Sequence, residues 1–156
     1  MKLSTKGRYA VMAMVDLAQR SEGQPVALAD IAERQDISLS YLEQLFAKLR
    51  RHGVVRSIRG PGGGYMLARG ADAIRIADIV LAVDEPVQMT RCSPGSPDGC
   101  KPDHARCSTH DLWEALGNQI YGFLSSITVA DVCKRRISGT GQPAWALAAN
   151  RSVGPR

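Results

Sequence analysis

Residues 26–69 read VALADIAERQDISLSYLEQLFAKLRRHGVVRSIRGPGGGYMLAR, and this stretch decides the fold. Val26–Gln35 is predicted to be a short helix with Leu28, Ile31 and Ala32 on one face, and QDIS (35–38) is a turn. Ser38–Arg51 is a longer helix that buries Leu42, Leu45, Phe46 and Leu49 and stops before Gly53. Two helices joined by a few polar residues fit helix-turn-helix geometry. Val54–Arg59 and Tyr65–Ala68 are β-rich runs around a GPGGG tip (60–64), a hairpin placed where a wing follows a reading helix. The glycines lead into a strand and lack the GxxxxGK[ST] spacing, which excludes a phosphate-cradling nucleotide loop.

Working outward, residues 5–20 form an amphipathic helix with Ser4 as N-cap and Ala10, Met14, Leu17 and Ala18 recurring at helical spacing. Residues 74–83 supply a strand residue or two and then a helix with Ile76, Ile79, Val80 and Val83 inward. Residues 84–107 are rich in Pro and Gly and read as a long loop, which in a compact chain of this size points to function. From Ser108 a long helix resumes, to about residue 130, with Leu112, Trp113, Leu116, Ile120, Leu124 and Ile127 along one stripe. The expected architecture is mostly α with a small β-ribbon. A winged helix-turn-helix DNA-binding domain (1–83) is followed by a cluster-binding loop (84–107), a long dimerisation helix (108–136) and a disordered tail (137–156).

The chain has 156 residues, with 44% hydrophobic and 5% aromatic residues, so its core is aliphatic. Twenty Lys and Arg against fifteen Asp and Glu leave a net charge of +5, a balance that suits a polyanionic partner. The excess begins in residues 1–70, whereas residues 71–90 are acidic. No apolar run is long enough to span a bilayer. MKLSTKGRYAVMAMVDLAQR (1–20) has Asp16 within its apolar part and no small-residue cleavage site. A cytoplasmic protein without membrane contact is expected.

The outward face of the 38–51 helix carries Ser40, Gln44, Ala47 and Arg51, flanked by Tyr41, Glu43 and Lys48. Short polar groups near its start suit base edges and basic groups near its end suit phosphates; the competing reading is a solvated helix surface. Arg59 on a thin glycine tip can enter a minor groove, where the potential is most negative over A·T-rich sequence. Glu43 has two readings. It completes a capping box, Ser40-x-x-Glu43, or it accepts from cytosine N4 and repels other sites.

Cysteines 92, 100 and 107 precede a histidine in the pattern Cys92-x7-Cys100-x6-Cys107-x2-His110. Clustered soft ligands in a cytoplasmic chain suit Zn²⁺ or an iron–sulfur cluster. Ser108-x-x-Asp111 reads as a capping box that sets Cys107 at a helix entry, where the helix dipole favours a thiolate. His104 is a rival fourth ligand. Cys133 reads as a small buried hydrophobe. The chain offers no second cofactor site and no acid/base pair beside the cysteines, which argues against an enzyme.

LSTKGRYAV (3–11), ISLSYLEQLFAKLR (37–50), RGPGGGY (59–65) and RC…C…C-x-x-H-x-L-W (91–113) together resemble the bacterial winged-helix iron–sulfur cluster regulators. The resemblance extends over most of residues 1–133. It implies a homodimer with one [2Fe–2S] cluster per protomer, held by Cys92, Cys100, Cys107 and His110, and repression of cluster-assembly genes when the cluster is present. The resemblance is imperfect here, since the inter-cysteine spacers are longer than those associated with the nearest members of that family. The expected partner is double-stranded DNA with a pseudo-palindromic operator, since two paired copies space their reading heads about one DNA turn, ~34 Å, apart. The candidate contacts are Ser4, Lys6, Arg8, Ser38, Ser40, Tyr41, Glu43, Gln44, Lys48, Arg51, Arg59, Gly60 and Gly62. The alternatives are a constitutive winged-helix DNA-binding protein with structural zinc and, less favoured, a redox or electron-transfer protein.

Overall fold

The structure is a computed structural model that describes residues 4–90, 92 and 97–138. The chain runs α1 (Thr5–Arg20), α2 (Leu28–Gln35), α3 (Leu39–Arg51), β1 (Val55–Ile58), β2 (Gly64–Leu67), a 3₁₀ turn (Ala71–Ala73), α4 (Ile76–Ala82), α5 (His110–Ser126) and α6 (Val129–Cys133). The mostly helical class with one two-stranded antiparallel ribbon is the expected one.

Ser4 caps α1 by accepting from the Lys6 N–H. Asp36 closes α2 in the left-handed conformation, φ 52°, and its N–H reaches the Ala32 and Glu33 carbonyls. An Asp tolerates this conformation at a helix end better than most side chains, so the turn between α2 and α3 is tight. The α3 cap is Ser38, whose hydroxyl accepts from the Tyr41 N–H. Ser40 therefore lies within the helix, and the capping box predicted for Ser40 and Glu43 is not formed.

Val26 is not helical as expected. It pairs with Tyr65 and adds a third short segment to the ribbon, because the Val26 and Tyr65 backbones exchange hydrogen bonds of 2.9 and 2.8 Å. Gly64 permits this approach, since a Cβ there would collide with the Val26 carbonyl. The ribbon pairs Val55 with Leu67 and Ile58 with Gly64.

Met14, Leu17, Leu42, Phe46, Leu49 and Val80 are fully buried at the centre of the winged unit. Burying a side chain of this size contributes roughly 1.5–3 kcal/mol. Phe46 meets Tyr65 edge-on at 5.0 Å between ring centres, which fixes the reading helix to the wing. Asp16 on α1 is buried and accepts from Arg34 and Gln35 on α2, with 2.6 Å to Arg34 Nη2.

The long helix expected over 108–136 is two helices. α5 ends at Ser126, Arg75 and Thr128 form a β-bridge, and Thr128 starts α6 in a capping box with Asp131. The β-branched pair Ile127–Thr128 disfavours helix, and the Thr128 hydroxyl offers the backbone a competing partner. α6 folds back onto α1, where Val129 is fully buried and the Cys133 thiol faces the Val15 carbonyl at 3.9 Å. Burial pushes the Cys133 thiol above its ordinary value; the residue packs against the core as an apolar filler but is half-buried rather than buried as expected. On α5, by contrast, Leu112, Trp113, Tyr121 and Phe123 are exposed. Of the tail assigned to 137–156, residues 139–156 lie outside the described residues.

Candidate metal centre and nucleic-acid interface

The cysteine loop descends from the end of α4 and returns to the start of α5. Its polar side chains hold the first thiol in place, since Gln88 and the Thr90 hydroxyl both donate to the Cys92 carbonyl, Thr90 at 2.9 Å. Between the second and third cysteines the chain is not structureless. The Gly99 N–H donates to His104 O and the Lys101 N–H to Ala105 O, both at 3.1 Å, forming a small hairpin. The long spacer is absorbed in this turn, so Cys100 and Cys107 return close together.

Cys92 Sγ, Cys100 Sγ and one His110 ring nitrogen lie within 4.8 Å of one another. Cys92 and Cys100 are 3.6 Å apart, and His110 Nδ1 is 3.3 Å from Cys92 and 3.0 Å from Cys100. Cys107 stands outside this tight trio but interacts with Cys100 and, with Cys100 and His110, lines one cavity of about 350 Å³. The Cys107 thiol is held below its ordinary value, first by the Thr109 hydroxyl, then by the Thr109 backbone and Cys100. The expected direction is met, but the cause is a side chain rather than a helix dipole alone. The Cys107 backbone pulls the Cys100 thiol down, yet burial and the neighbouring thiols of Cys92 and Cys107 push it above its ordinary value.

His110 is the first residue of α5 and only 4% exposed. The cap is Thr109 without a side-chain hydrogen bond, so the Ser108–Asp111 capping box is not formed. Its Nε2 is buried without a hydrogen-bond partner, with the Glu114 carboxylate 3.7 Å away. A buried imidazole that turns one nitrogen to two thiols and holds the other near a carboxylate has the setting of a metal-ligating histidine. His104 is instead exposed and pairs with Asp98 at 2.9 Å. Soft thiolates with an imidazole fit an iron–sulfur cluster or zinc.

The candidate nucleic-acid contacts lie on α1, α3 and the wing. Ser38, Ser40, Glu43, Gln44 and Arg51 are exposed along α3, and Ser4 and Arg8 are exposed on α1. Arg59, Gly60 and Gly62 are exposed on the wing tip, where Gly60 and Gly62 have φ of 103° and 71° with open space around them. Tyr41 is half-buried against Tyr9, 6.1 Å between ring centres. Ser4, Lys6 and Lys48 are hydrogen-bonded to Asp84 or Glu85. In the sequence, the acidic run in 71–90 is the one trace of these contacts.

The sequence profile of the Rrf2 family, described as iron-dependent transcriptional regulators, matches residues 3–135. The chain belongs to the Rrf2 family. This Rrf2 chain is 54% identical over 132 residues to the HTH-type transcriptional regulator IscR of Photorhabdus laumondii, covering 85% of this chain and 79% of that one. Among solved structures it resembles IscR of T. potens, with TM-score 0.69 and 38% identity over 94% of this chain and 96% of that one. It also resembles CymR (YrzC), the global cysteine regulator of B. subtilis, with TM-score 0.70 and 33% identity over 86% and 98%. The Rrf2 chain is thus a DNA-binding transcriptional regulator of helix-turn-helix type and not an enzyme. No helix among the described residues is long and apolar enough to cross a membrane.

Proposed function

We propose that this regulator is a cytoplasmic homodimeric repressor of cluster-assembly genes that senses iron–sulfur status through one [2Fe–2S] cluster per protomer. Cys92, Cys100, Cys107 and His110 hold the cluster. The observation that carries this reading is the convergence of the Cys92 and Cys100 thiols on His110 Nδ1, with Cys107 lining one cavity with Cys100 and His110. The bound group supplies a redox- and iron-sensitive crosslink among four side chains.

The chain's own residues convert that crosslink into DNA affinity. Residues 1–83 form the reading unit, 84–107 the ligand loop and 108–136 the dimerisation segment. The loop is tied to α3 at one end through Asp84 and to the start of α5 at the other through His110. Exposed Leu112, Trp113, Tyr121 and Phe123 on α5 offer a partner protomer apolar side chains to cover. Ligand release would free the loop and the α5 start together, changing how two reading heads are spaced over a pseudo-palindromic operator.

A structural zinc site is the second reading, favoured by the tightness of the Cys92, Cys100 and His110 trio, which suits a single tetrahedral ion. Anaerobically purified protein, assayed for binding to DNA selected from a random pool before and after iron chelation, separates the two. A sensor changes affinity or site preference when iron is removed. A constitutive zinc protein binds the same sites throughout.

A further inference from the structure

Two acidic residues where the ligand loop begins are fastened to groups placed at the DNA interface. The Glu85 carboxylate accepts from the Ser4 N–H at 2.6 Å, the Gly7 N–H at 2.8 Å and the Ser4 hydroxyl. It thus fills the amino end of α1, whose own first turn contains no acidic residue. The Asp84 carboxylate accepts from Lys48 Nζ at 2.7 Å, and its carbonyl accepts from Lys6 Nζ at 3.3 Å. Asp84 holds this position with φ 56°, a left-handed conformation that costs a non-glycine residue backbone energy.

Free helix amino ends and lysine ammonium groups are what a DNA-binding surface turns to phosphate oxygens. Here carboxylate oxygens satisfy Lys48 and the amino end of α1, and a backbone carbonyl satisfies Lys6. The contacts reach α1 and α3 at once and come from a chain segment that arrives at the first thiol ligand within a few residues. We propose that Asp84 and Glu85 are an internal competitor for DNA phosphate. They occupy Lys48 and the amino end of α1, lower the affinity for DNA, and tie that affinity to the placement of the ligand loop. The proposal rests on the reading that Ser4, Lys6 and Lys48 face DNA.

Both acids are held ionised, as a competitor requires. The Lys48 hydrogen bond, then its charge, keeps Asp84 below the ordinary carboxylate value. Burial pushes Glu85 up, but the Ser4 hydroxyl and the Ser4 and Gly7 backbone outweigh it and keep it low.

The test is a salt titration of binding to a mixed-sequence duplex and to a duplex selected on the unaltered protein. It uses full-length protein and the variants Asp84→Asn, Glu85→Gln, Lys48→Ala and Asp84→Asn with Lys48→Ala. Asn and Gln remove the charge and keep one acceptor oxygen, but turn the other into an NH2 donor, so the melting curve of each variant is recorded alongside to show that it folds. Asp84→Asn and Glu85→Gln are each expected to bind both duplexes about two- to fivefold more tightly, the scale of one exposed ion pair. Asp84→Asn should also steepen the salt slope by up to about one phosphate equivalent. Its gain should vanish in the Lys48→Ala background, a coupling that a purely structural Asp84 would not show. A variant that fails to tighten removes its residue from the proposal, and failure of both overturns it while a weakened Lys48→Ala leaves the interface intact. Unchanged binding by Lys48→Ala overturns the interface reading and the competitor with it.

Discussion

His110 Nδ1 lies 3.0 Å from Cys100 Sγ, although a nine-residue segment containing a hairpin separates them in the chain. The contact places a buried imidazole and a thiol where one metal centre can bind both.

The ligand set gives the first prediction. Alanine at Cys92, Cys100, Cys107 or His110 should abolish or strongly reduce bound iron, while Cys133→Ala should retain it, because the Cys133 thiol packs on α1 instead. His104→Ala should also retain iron, since His104 pairs with Asp98 on the surface. Iron assay of each purified variant is the check. Bleaching by His104→Ala with retention by His110→Ala would show that the wrong histidine is assigned.

Arg59 sits exposed beside the wing glycines. Arg59→Ala should weaken operator binding by about 1–3 kcal/mol and reduce the salt slope by about one. Unchanged affinity across a salt titration would remove the wing from the interface.

Glu43 is freed from the capping role by the position of Ser38. Glu43→Ala should therefore leave the melting curve within about 0.5 kcal/mol, as for an exposed surface substitution. It should broaden site choice in the cluster-free protein, since a carboxylate on the reading face repels acceptor-rich base edges. Binding-site selection on both proteins is the check, and identical site rankings would remove the selectivity role.

Asp16 joins α1 to α2. Burial pushes its carboxyl up, but hydrogen bonds from Arg34 and Gln35 and the charges of Arg34 and Arg20 hold it below the ordinary value. Its stabilising contribution is fully present above the unfolded carboxyl pKa of about 3.9 and is lost as pH falls through the lower folded value. Asp16→Ala should cost about 1–3 kcal/mol at neutral pH, and the gap between variant and unaltered protein should narrow in acid below that range. Chemical denaturation at several pH values measures it; a gap independent of pH would contradict the assignment.

The reading unit was largely legible because its signals are local. Apolar spacing marked α1 and α3, glycines marked the wing, and cysteine spacing marked the ligand loop. What escaped the sequence depends on contacts between distant segments. Residue spacing places Val26 in a helix because its pairing with Tyr65 has no local sign. Ser40-x-x-Glu43 matched a capping pattern, but Ser38 reached the Tyr41 N–H first. The break at Ile127–Thr128 interrupts an apolar stripe that continues through it, and the backbone pairing of Ile74–Ile76 with Ile127–Val129 decides the matter. The loop spacers looked structureless because their hairpin is made of backbone hydrogen bonds, which side-chain patterns do not report.

An iron–sulfur cluster at the thiol and imidazole site is what the proposed function requires. Visible absorption of the protein purified without oxygen, with iron, acid-labile sulfide and zinc assayed on the same sample, tests it most directly. The account predicts a brown protein with iron and sulfide in equal amounts, bleached by alanine at any of the four ligands. A colourless protein containing one zinc per chain would contradict it.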